Sequence, residues 1–411
     1  MARKKILFVA ESVSLAHVAR PSILAESLDA EAYDIVFASN GQFPICDSRR
    51  EWARYHLDSI SPETFLQRLA SGSPVYTEME LQTYVEADIK ALELLQPDAV
   101  VSDFRLSMTI AARQLGIPLF AVCNAYWSPY AADQQVRAPD LPAARFLGFP
   151  LMDRVFSAVW PVASRYHCRG INRVRARYGL VAVRSLRDYY CDGDVVLYSD
   201  TPSLVPTHSL PNSHHYIGPI VWSPSMALPD WWGEALAQTG PRVYITLGST
   251  GNVDLLPAIV TACRDAGLIC LVATAGRRGL DSAPPDVYAA PFLPGNLAAA
   301  AAELVICNGG NPTASQALQM GKPVLGICSN LDQVLNMVGV QHAGAGLLMR
   351  AGEFSPVRAR LSLAELLRSE AGYRIKAEAL QHEFAANFDP TRNFPRLLAE
   401  YTGCMRPPKS P

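Results

Sequence analysis

Residues 305–337 read VICNGGNPTASQALQMGKPVLGICSNLDQVLNM, and their pattern decides the fold of the second half of the chain. The apolar run at 304–307 is typical of a buried parallel strand. A glycine turn at 308–312 separates this strand from a helical pattern at 313–320. A second buried strand follows at 324–327, after a Gly-Lys-Pro sequence that ends the helix. Strand, glycine turn, helix and strand in this order predict a parallel α/β domain.

The glycine turn is suited to holding an anion. Gly309 and Gly310 let the backbone pass close to a ligand, and Thr313 can donate a hydrogen bond from the start of the helix. The unpaired N–H groups and the positive dipole end at this point favour a diphosphate, although many α/β loops contain two glycines merely to turn. Asp332 and Gln333 lie just past the next strand, where open α/β sheets bind ligands. An acid beside an amide suits sugar hydroxyls.

This segment resembles the donor-binding signature of the inverting nucleotide-sugar glycosyltransferases, which include plant UDP-sugar transferases and bacterial macrolide and antibiotic transferases. The family pattern is roughly H-x-G-x-x-[ST]-x-x-E, then G-x-P, then D-Q-x-x-N. The matching positions are Gly310, Thr313, Gly321, Pro323, Asp332, Gln333 and Asn336. Asn308 replaces the family's diphosphate-binding His, and Gln316 replaces its ribose-binding Glu. Because both amides can still hydrogen bond to oxygen, we expect altered rather than lost donor binding.

The resemblance implies the GT-B architecture, an α/β fold of two facing Rossmann-like domains with a cleft between them. We predict an N-terminal acceptor-binding domain at 1–220 and a C-terminal nucleotide-sugar donor-binding domain at 241–385. The linker is placed at 221–240, where prolines and tryptophans occur without regular periodicity. A C-terminal helix and tail at 386–411 are expected to cross back to the first domain.

His17 and Asp103 follow two predicted strands of the first domain, at the same carboxyl edge of the sheet. Taken alone, His17 would be a solvated residue and Asp103 a capping or solubilising one. However, A-H-V-A-R-P at 16–21 resembles the family's G-H-x-x-P, and V-V-S-D-F at 100–104 also matches the family. The resemblance implies that His17 is the general base and that Asp103 accepts its imidazole N–H.

Glycosyl transfer requires such a pair of residues. An acceptor hydroxyl is a poor nucleophile, so a base must remove its proton as it attacks the anomeric carbon of the sugar. The helix start at 309–313 would stabilise the charge that develops on the departing diphosphate. This chemistry predicts inversion by a single displacement, and the resemblance implies transfer of a hexose from a UDP- or dTDP-sugar to a small natural-product-like hydroxyl.

Further contacts follow from strand ends and from the resemblance. Ser249 and Thr250 lie in a polar glycine loop that resembles the family's V-x-x-G-S turn, so we expect them to reach the diphosphate unless the loop is a plain turn. Phe292 falls where an aromatic residue of the family stacks on the nucleobase. Tyr126 and Trp127 follow a strand at 119–123 and offer faces for a flat acceptor, with core packing as the competing interpretation.

Composition limits the remaining possibilities. A chain of 411 residues with a formal net charge of -2 is long enough for two domains and lacks the basic surplus of a nucleic-acid-binding protein. Nine dispersed cysteines and the lack of a long apolar segment predict a cytoplasmic protein without a membrane span. No cofactor or metal is expected besides the nucleotide-sugar donor. The D-x-D sequence at 192–194 is interpreted as a turn. The sequence is compatible with a homodimer.

Two stretches carry less information. The stretch at 43–73 shows no regular pattern and is expected to be a long loop that shapes the acceptor pocket. Arg49, Arg50 and His56 are expected to be solvated surface residues, with contact to a polar acceptor as the alternative. The stretch at 131–187 has mixed helical patterning and indicates no chemistry.

Two alternatives to a glycosyltransferase are compatible with the same sequence. One is a nucleotide-sugar epimerase or hydrolase on this scaffold, which would convert the donor without any acceptor. The other is a non-catalytic partner of a glycosyltransferase, an idea that Asn308 and Gln316 favour and that His17 and Asp103 oppose.

Overall fold

The computed structural model describes residues 3–43, 52–223, 226–277 and 286–404, together with positions 280 and 284. The chain divides into two compact α/β units. Unit 1 comprises Met1–Gln134, Val159–Trp222 and the chain from Phe388 onward, and unit 2 comprises Gln135–Ala158 and Ser223–Asn387.

Unit 1 contains a seven-stranded parallel sheet of order β3-β2-β1-β4-β5-β6-β7. Its strands are β1 (Lys4–Ala10), β2 (Tyr33–Ser39), β3 (Ala53–His56), β4 (Ala99–Asp103), β5 (Leu119–Cys123), β6 (Val195–Tyr198) and β7 (His214–Tyr216). Ala10 pairs with Asp103, so the loops that follow β1 and β4 begin side by side. This register places the residues after both strands at one edge of the sheet.

Both faces of the unit 1 sheet are covered, as the continuous apolar strand sequences predict. Ile6 and Phe8 of β1 pack in one core cluster, and Leu7 and Val9 pack in another on the opposite face. The helices of this unit are Leu15–Glu26, Pro62–Ser71, Glu78–Leu95, Met108–Leu115, Leu186–Tyr190, Pro390–Cys404 and the greater part of Phe149–Arg177. Phe394 of the last helix is fully buried in the same cluster as Ile6.

Unit 2 contains a six-stranded parallel sheet of order β10-β9-β8-β11-β12-β13. Its strands are β8 (Arg242–Thr246), β9 (Ile269–Ala273), β10 (Val287–Ala290), β11 (Leu304–Cys307), β12 (Val324–Cys328) and β13 (Gly346–Arg350). Cys307 pairs with Thr246 on one side and Gly326 on the other. The loops after β8, β11 and β12 therefore leave the sheet at neighbouring positions.

The sheet is covered by the helices Leu256–Asp265, Gly295–Ala301, Asn311–Gln319, Leu331–His342 and Pro356–Leu367. Unit 2 also contains Ala144–Leu147, Trp232–Ala237, Tyr373–Asn387 and the first turns of Phe149–Arg177. The helix Leu331–His342 begins with a capping box, in which Asn330 accepts from the backbone N–H of Gln333 and Gln333 accepts from that of Asn330. This cap fixes the residues that follow β12.

The segment Gln135–Ala158 was expected in the first domain, and the structure assigns it to unit 2. Arg350, at the end of β13, holds the segment through three contacts. Its Nε donates to the carbonyl oxygen of Ala138 at 2.9 Å, its Nη2 lies 2.5 Å from Asp153 Oδ1, and its guanidinium lies 4.5 Å from the ring centroid of Phe149. A buried guanidinium needs such partners, which explains the assignment.

One other expectation is wrong in detail. The stretch at 43–73 is not a continuous loop, because it contains β3 and the helix Pro62–Ser71, which Ser61 caps by accepting from the N–H of Thr64. Arg49 and Arg50 lie outside the described residues. The predicted linker at 221–240 contains the short helix Trp232–Ala237, where Trp232 is buried. Within the described part of the chain, no helix is both long and apolar enough to cross a membrane.

Candidate active site

His17 and Asp103 lie in contact in unit 1, as the resemblance implies. The Nδ1 atom of His17 is 2.8 Å from Oδ1 of Asp103. His17 lies in the first turn of the helix Leu15–Glu26, which follows β1, and Asp103 is the last residue of β4. The backbone N–H of Glu11 donates to the carbonyl oxygen of Asp103 at 3.1 Å and holds the two strand ends together.

The contact determines the tautomer of His17. A carboxylate oxygen carries no proton, so a separation of 2.8 Å requires that Nδ1 of the imidazole donates. In the neutral ring, Nε2 then carries the lone pair and can accept a proton. Asp103 is fully buried, whereas the side chain of His17 keeps 19% of its exposure. The imidazole is thus oriented by a buried acid and remains reachable by a ligand.

Arg20 is a third member of this cluster that the sequence did not reveal as functional. Its Nε lies 2.7 Å from Oδ2 of Asp103, and its Nη2 lies 2.8 Å from Oδ1, which makes a two-pronged ion pair. Its Nη1 also donates to Oδ1 of Asn124 at 2.9 Å. Burial opposes the charge of Arg20, but the carboxylate of Asp103 keeps the pKa of Arg20 above its usual value. The i, i+3 spacing of His17 and Arg20 would have placed them on one helix face.

A second buried ion cluster supports the loops that carry these residues. Arg105 lies 2.9 Å from Asp88 and 3.4 Å from Glu11, and all three side chains are fully buried. Burial raises the pKa of both Glu11 and Asp88, and Arg105 lowers it in each case. Because Glu11 follows β1 and Arg105 follows β4, this cluster holds both loops beside the dyad of His17 and Asp103.

Aromatic rings continue from His17 along unit 1. Phe104 stacks on the imidazole with a centroid separation of 4.7 Å, and Tyr190 lies 5.6 Å from Phe104. Trp127 follows at 5.0 Å from Tyr190, and Trp160 lies 6.2 Å from Trp127. We call these four partly exposed residues the aromatic row. It contains the predicted acceptor residue Trp127.

Tyr126 differs from Trp127. Its side chain is buried, as the competing core-packing interpretation proposed, and it follows Ala125, whose backbone N–H donates to Asp200 at 2.6 Å. The sequence does not show that Phe104 stacks on His17, and its φ of 58° is an uncommon backbone conformation for a non-glycine residue. That conformation occurs directly after Asp103, where the chain leaves β4.

In unit 2, the loops after β8 and β11 are joined by side chains. Nδ2 of Asn308 donates to Oγ1 of Thr250 at 3.0 Å, and Oδ1 of Asn308 accepts from the N–H of Gly310 at 3.1 Å. Nε2 of Gln333 also donates to Oγ1 of Thr250, at 3.2 Å. Two N–H groups therefore donate to the oxygen of the Thr250 hydroxyl. The O–H of Thr250 points away from both of them and can donate to another group.

The glycine turn begins the helix Asn311–Gln319, with Gly310 as its N-cap. Gly309 has a φ of 79°, and a Cβ atom there would lie 2.5 Å from Sγ of Cys328 and 2.7 Å from Cγ of Met337. Only glycine fits this position. Thr313 is partly exposed in the first turn, where backbone N–H groups lack partners within the helix.

The other residues predicted to bind the nucleotide-sugar donor differ in burial and in their contacts. Gln316 is buried and donates from Nε2 to Oδ1 of Asn296 at 2.9 Å. Ser249 is exposed, and Asp332 is partly exposed in the first turn of Leu331–His342. Phe292 follows β10 on the surface, with 42% of its area exposed. Gln333 is buried, and its Oε1 accepts from Ser329 and Asn330, so the side chain mainly braces the loop.

Arg277 is a cation beside the loop after β8 that sequence analysis missed. Its Nη1 donates to the carbonyl oxygen of Gly251 at 2.7 Å and lies 3.5 Å from that of Gly248. These contacts hold the partly exposed guanidinium against the loop that contains Thr250. The sequence Gly-Arg-Arg at 276–278 in the loop after β9 matches no motif that identifies Arg277 beforehand.

Neither aspartate of the D-x-D sequence is arranged as a metal ligand. Asp192 forms ion pairs with Arg113 and Arg175 at 2.5 Å each, and Asp194 accepts from the backbone N–H of Leu119 at 2.9 Å. Among the residues that the structure describes, no three His, Cys, Asp or Glu side chains form a group that could hold a metal ion.

Comparisons with known proteins assign this chain to a family. The model of the erythromycin biosynthesis protein CIII-like C-terminal domain matches residues 256–399. A PGL/p-HBAD biosynthesis glycosyltransferase of Mycobacterium tuberculosis (strain ATCC 25177 / H37Ra) is 39% identical over 387 residues, which cover 94% of this chain and 90% of that protein. The chain belongs to this glycosyltransferase family. A PGL/p-HBAD biosynthesis rhamnosyltransferase of Mycobacterium bovis (strain BCG / Pasteur 1173P2) is also 39% identical, over 93% of this chain and 84% of that protein.

The structural comparison agrees with the sequence comparison. The spinosyn rhamnosyltransferase SpnG, complexed with thymidine diphosphate, matches 96% of this chain and 99% of its own, with a TM-score of 0.68 and 19% identity. At this identity the likeness shows the fold, which is the predicted GT-B architecture. The predicted family, fold class and enzyme class are thus confirmed for this glycosyltransferase, while the roles of the individual site residues stay predictions.

Proposed function

We propose that this glycosyltransferase moves a hexose from a UDP- or dTDP-sugar to a hydroxyl of a small natural-product-like or lipid-like acceptor, with inversion at the anomeric carbon. The 2.8 Å contact between His17 and Asp103 carries the proposal. It leaves Nε2 of His17 as the proton acceptor and places a buried carboxylate behind the ring.

His17 acts as the general base in this proposal. As the acceptor oxygen bonds to the anomeric carbon, its proton passes to Nε2, and the bond from the anomeric carbon to the diphosphate oxygen breaks. Asp103 holds the ring in the required tautomer and stabilises the imidazolium that forms. The carbon is attacked from the side opposite the leaving group, so the product has the inverted configuration.

The diphosphate is bound by groups of unit 2 in this proposal. The free hydroxyl proton of Thr250, the guanidinium of Arg277 and the backbone N–H groups at the start of Asn311–Gln319 all suit phosphate oxygens. Asn308 supports diphosphate binding by orienting Thr250, and its second amide proton can donate to a phosphate oxygen. These donors stabilise the negative charge that develops on the leaving diphosphate.

The names of related proteins guide the choice of substrates. The M. bovis relative is a rhamnosyltransferase, which supports a deoxyhexose donor, and the thymidine diphosphate in SpnG makes a dTDP-sugar the first donor to test. Both mycobacterial relatives act in PGL/p-HBAD biosynthesis, which supports a lipid-like or aromatic acceptor. The aromatic row beside His17 offers flat apolar faces for such a molecule.

Replacement of His17 by Ala tests the proposal. With a donor found by thermal shift and an acceptor found by product screening, we expect kcat to fall about 10²- to 10⁴-fold, with the donor Kd changed less than about twofold. NMR of the wild-type product should show the inverted anomer. The matched control is His56→Ala, because His56 also contacts an aspartate, Asp58 at 3.0 Å, but lies on the surface. Turnover of His17→Ala within a few-fold of wild type would refute the base assignment.

A further inference from the structure

The part of the helix Phe149–Arg177 that belongs to unit 1 exposes apolar side chains on its outer side. Val159, Val162 and Tyr166 each keep more than half of their area exposed. Their i, i+3 and i+7 spacing puts all three on one side of the helix, and we call them the outer row. Because soluble proteins rarely expose a continuous apolar patch, the outer row indicates a contact surface.

The opposite side of the same helix packs inside unit 1. Trp160 lies 6.2 Å from Trp127, so it joins the helix to the aromatic row. Ser164 is buried, and its Oγ accepts from the backbone N–H of Leu186 at 2.9 Å. The helix therefore has one side that contacts the aromatic row and another that presents the outer row to solvent.

This part of the helix also carries an excess of positive charge. Residues 159–177 include five arginines and no acidic residue, in a chain whose formal net charge is -2. Arg175 is buried and pairs with Asp192. Arg173 pairs with Glu78 at 2.8 Å, and Arg177 pairs with the same carboxylate. Two acids from other elements thus balance two of these three arginines.

The other two arginines lie beside the outer row. Arg165 and Arg169 are exposed, and the guanidinium of Arg169 lies 5.6 Å from the ring centroid of Tyr166. Exposed apolar side chains with arginines beside them are typical of a helix that lies in the interface of an anionic membrane. A protein partner would need an acidic residue opposite each arginine, whereas an anionic lipid surface accepts the arginines in any register.

We propose that the helix face formed by the outer row, Arg165 and Arg169 docks on the surface of an anionic membrane. The apolar side chains enter the headgroup region, and the guanidinium groups bind lipid phosphates. Docking itself does not depend on the proposed reaction. Its use in catalysis rests on the proposed function, because the helix that contributes Trp160 to the aromatic row would hold this row close to a bilayer that contains a lipid-like acceptor.

Vesicle sedimentation of the full chain, without donor or acceptor, tests the proposal. The two probes are vesicles of phosphatidylcholine alone and vesicles that also contain about 30% phosphatidylglycerol. We expect at least about tenfold stronger binding to the anionic vesicles, and weaker binding as the salt concentration rises. Arg165→Gln with Arg169→Gln should weaken this binding about 10- to 30-fold, since each arginine near an anionic surface contributes about fivefold.

The apolar contribution is tested separately. The triple variant Val159→Ser, Val162→Ser and Tyr166→Ser should weaken binding to the anionic vesicles at least about tenfold, because the inserted apolar area is lost. All the altered side chains are exposed, so the variants should fold. Circular dichroism and thermal unfolding check this.

Unit 2 provides matched control variants. The helix Pro356–Leu367 also exposes Val357 and Leu361 by more than half, but its arginines Arg358 and Arg360 both pair with acidic residues. Val357→Ser with Leu361→Ser, and Arg358→Gln with Arg360→Gln, should leave vesicle binding within about twofold of wild type.

The outcomes separate docking from the proposed function. Equal binding to neutral and anionic vesicles, or equal losses in the test and control variants, would overturn the proposal. Absence of binding to both kinds of vesicle would also overturn it and assign this face to a protein partner. If the test variants lose vesicle binding but convert a water-soluble acceptor at the wild-type rate, docking is supported as a separate property. If His17→Ala is active as well, the proposed function fails while docking stands.

Discussion

The side-chain amide of Asn308 donates to the hydroxyl of Thr250 at 3.0 Å, which joins the loop after β11 to the loop after β8. The sequence had suggested that Asn308 replaces a histidine as a direct donor to the diphosphate. In the structure both ends of this amide already form hydrogen bonds within the protein. Nδ2 donates to Thr250, and Oδ1 accepts from the backbone N–H of Gly310. Asn308 therefore orients Thr250, and in the proposed function a direct contact of Asn308 with phosphate would use its second amide proton.

Replacement of Asn308 by Ala should lower turnover about 10- to 1000-fold, as in the loss of an oxyanion donor. Asn308→His should cost less, because an imidazole N–H can replace part of the lost bonding. If Asn308 acts through Thr250, the effects of Asn308→Ala and Thr250→Val on kcat should not add in the double variant. Strictly additive effects would contradict the indirect role, and an unchanged rate and donor affinity in Asn308→Ala would leave the diphosphate to Thr250 and Thr313.

Arg277 should contribute to donor affinity through its charge. Arg277→Gln removes a charge-assisted hydrogen bond, so we expect the Kd of the nucleoside diphosphate to rise roughly 10- to 100-fold, with a weaker salt dependence. Calorimetric titration with the diphosphate and with the corresponding nucleoside measures both effects. Arg264→Gln serves as the control, because Arg264 pairs with Asp286 on the surface of the same unit. Equal loss of affinity for the uncharged nucleoside would show that Arg277 only supports the loop.

The sequence was sufficient for the residues that follow strands. His17 and Asp103 could be placed together because β1 and β4 are parallel strands whose ends share one sheet edge. Asn308, Thr250 and Gln333 could be placed together for the same reason, because they follow adjacent strands of the second sheet. Only the family resemblance, however, made His17 more than a surface histidine.

The remaining features depend on contacts that no local pattern encodes. Arg20 occupies an ordinary helical position, and its ion pair joins it to Asp103, which lies 83 residues away in the sequence. Arg277 donates to a backbone carbonyl group. Because every residue has such a group, this contact cannot be predicted from the sequence. The placement of Gln135–Ala158 depends on Arg350, which lies 197 residues beyond Asp153.

Arg350→Met should loosen the segment Gln135–Ala158. Arg350 is buried, while the side chain of Asp153 is 27% exposed, so we expect a loss of about 1–3 kcal/mol, less than for a fully buried pair. Limited proteolysis should show new cleavage within 135–158, and denaturant unfolding should give the stability change. Arg358→Met is a matched control, because Arg358 pairs with Glu353 as Arg350 does but is 56% exposed. Equal losses in the two variants would exclude a special role for Arg350.

The ion pair of Arg68 and Glu80 should make the free energy of unfolding decrease at low pH. Hydrogen bonds from Arg68, at 2.8 and 2.9 Å, and from the N-cap residue Thr77 lower the pKa of Glu80 to about 2, below its ordinary value of 4.5. Since the folded-state pKa is lower than the unfolded one, this stabilisation is complete above about pH 5 and is lost as the pH falls toward 2. Glu80 is partly exposed, so solvent screening reduces the contribution to about 1 kcal/mol. Urea unfolding at pH 7 and pH 3 should therefore show a smaller difference for Glu80→Gln than for wild type. The same pH dependence in both proteins would show that Glu80 does not contribute. Glu63→Gln is the control, since Glu63 lies in the first turn of the neighbouring helix Pro62–Ser71.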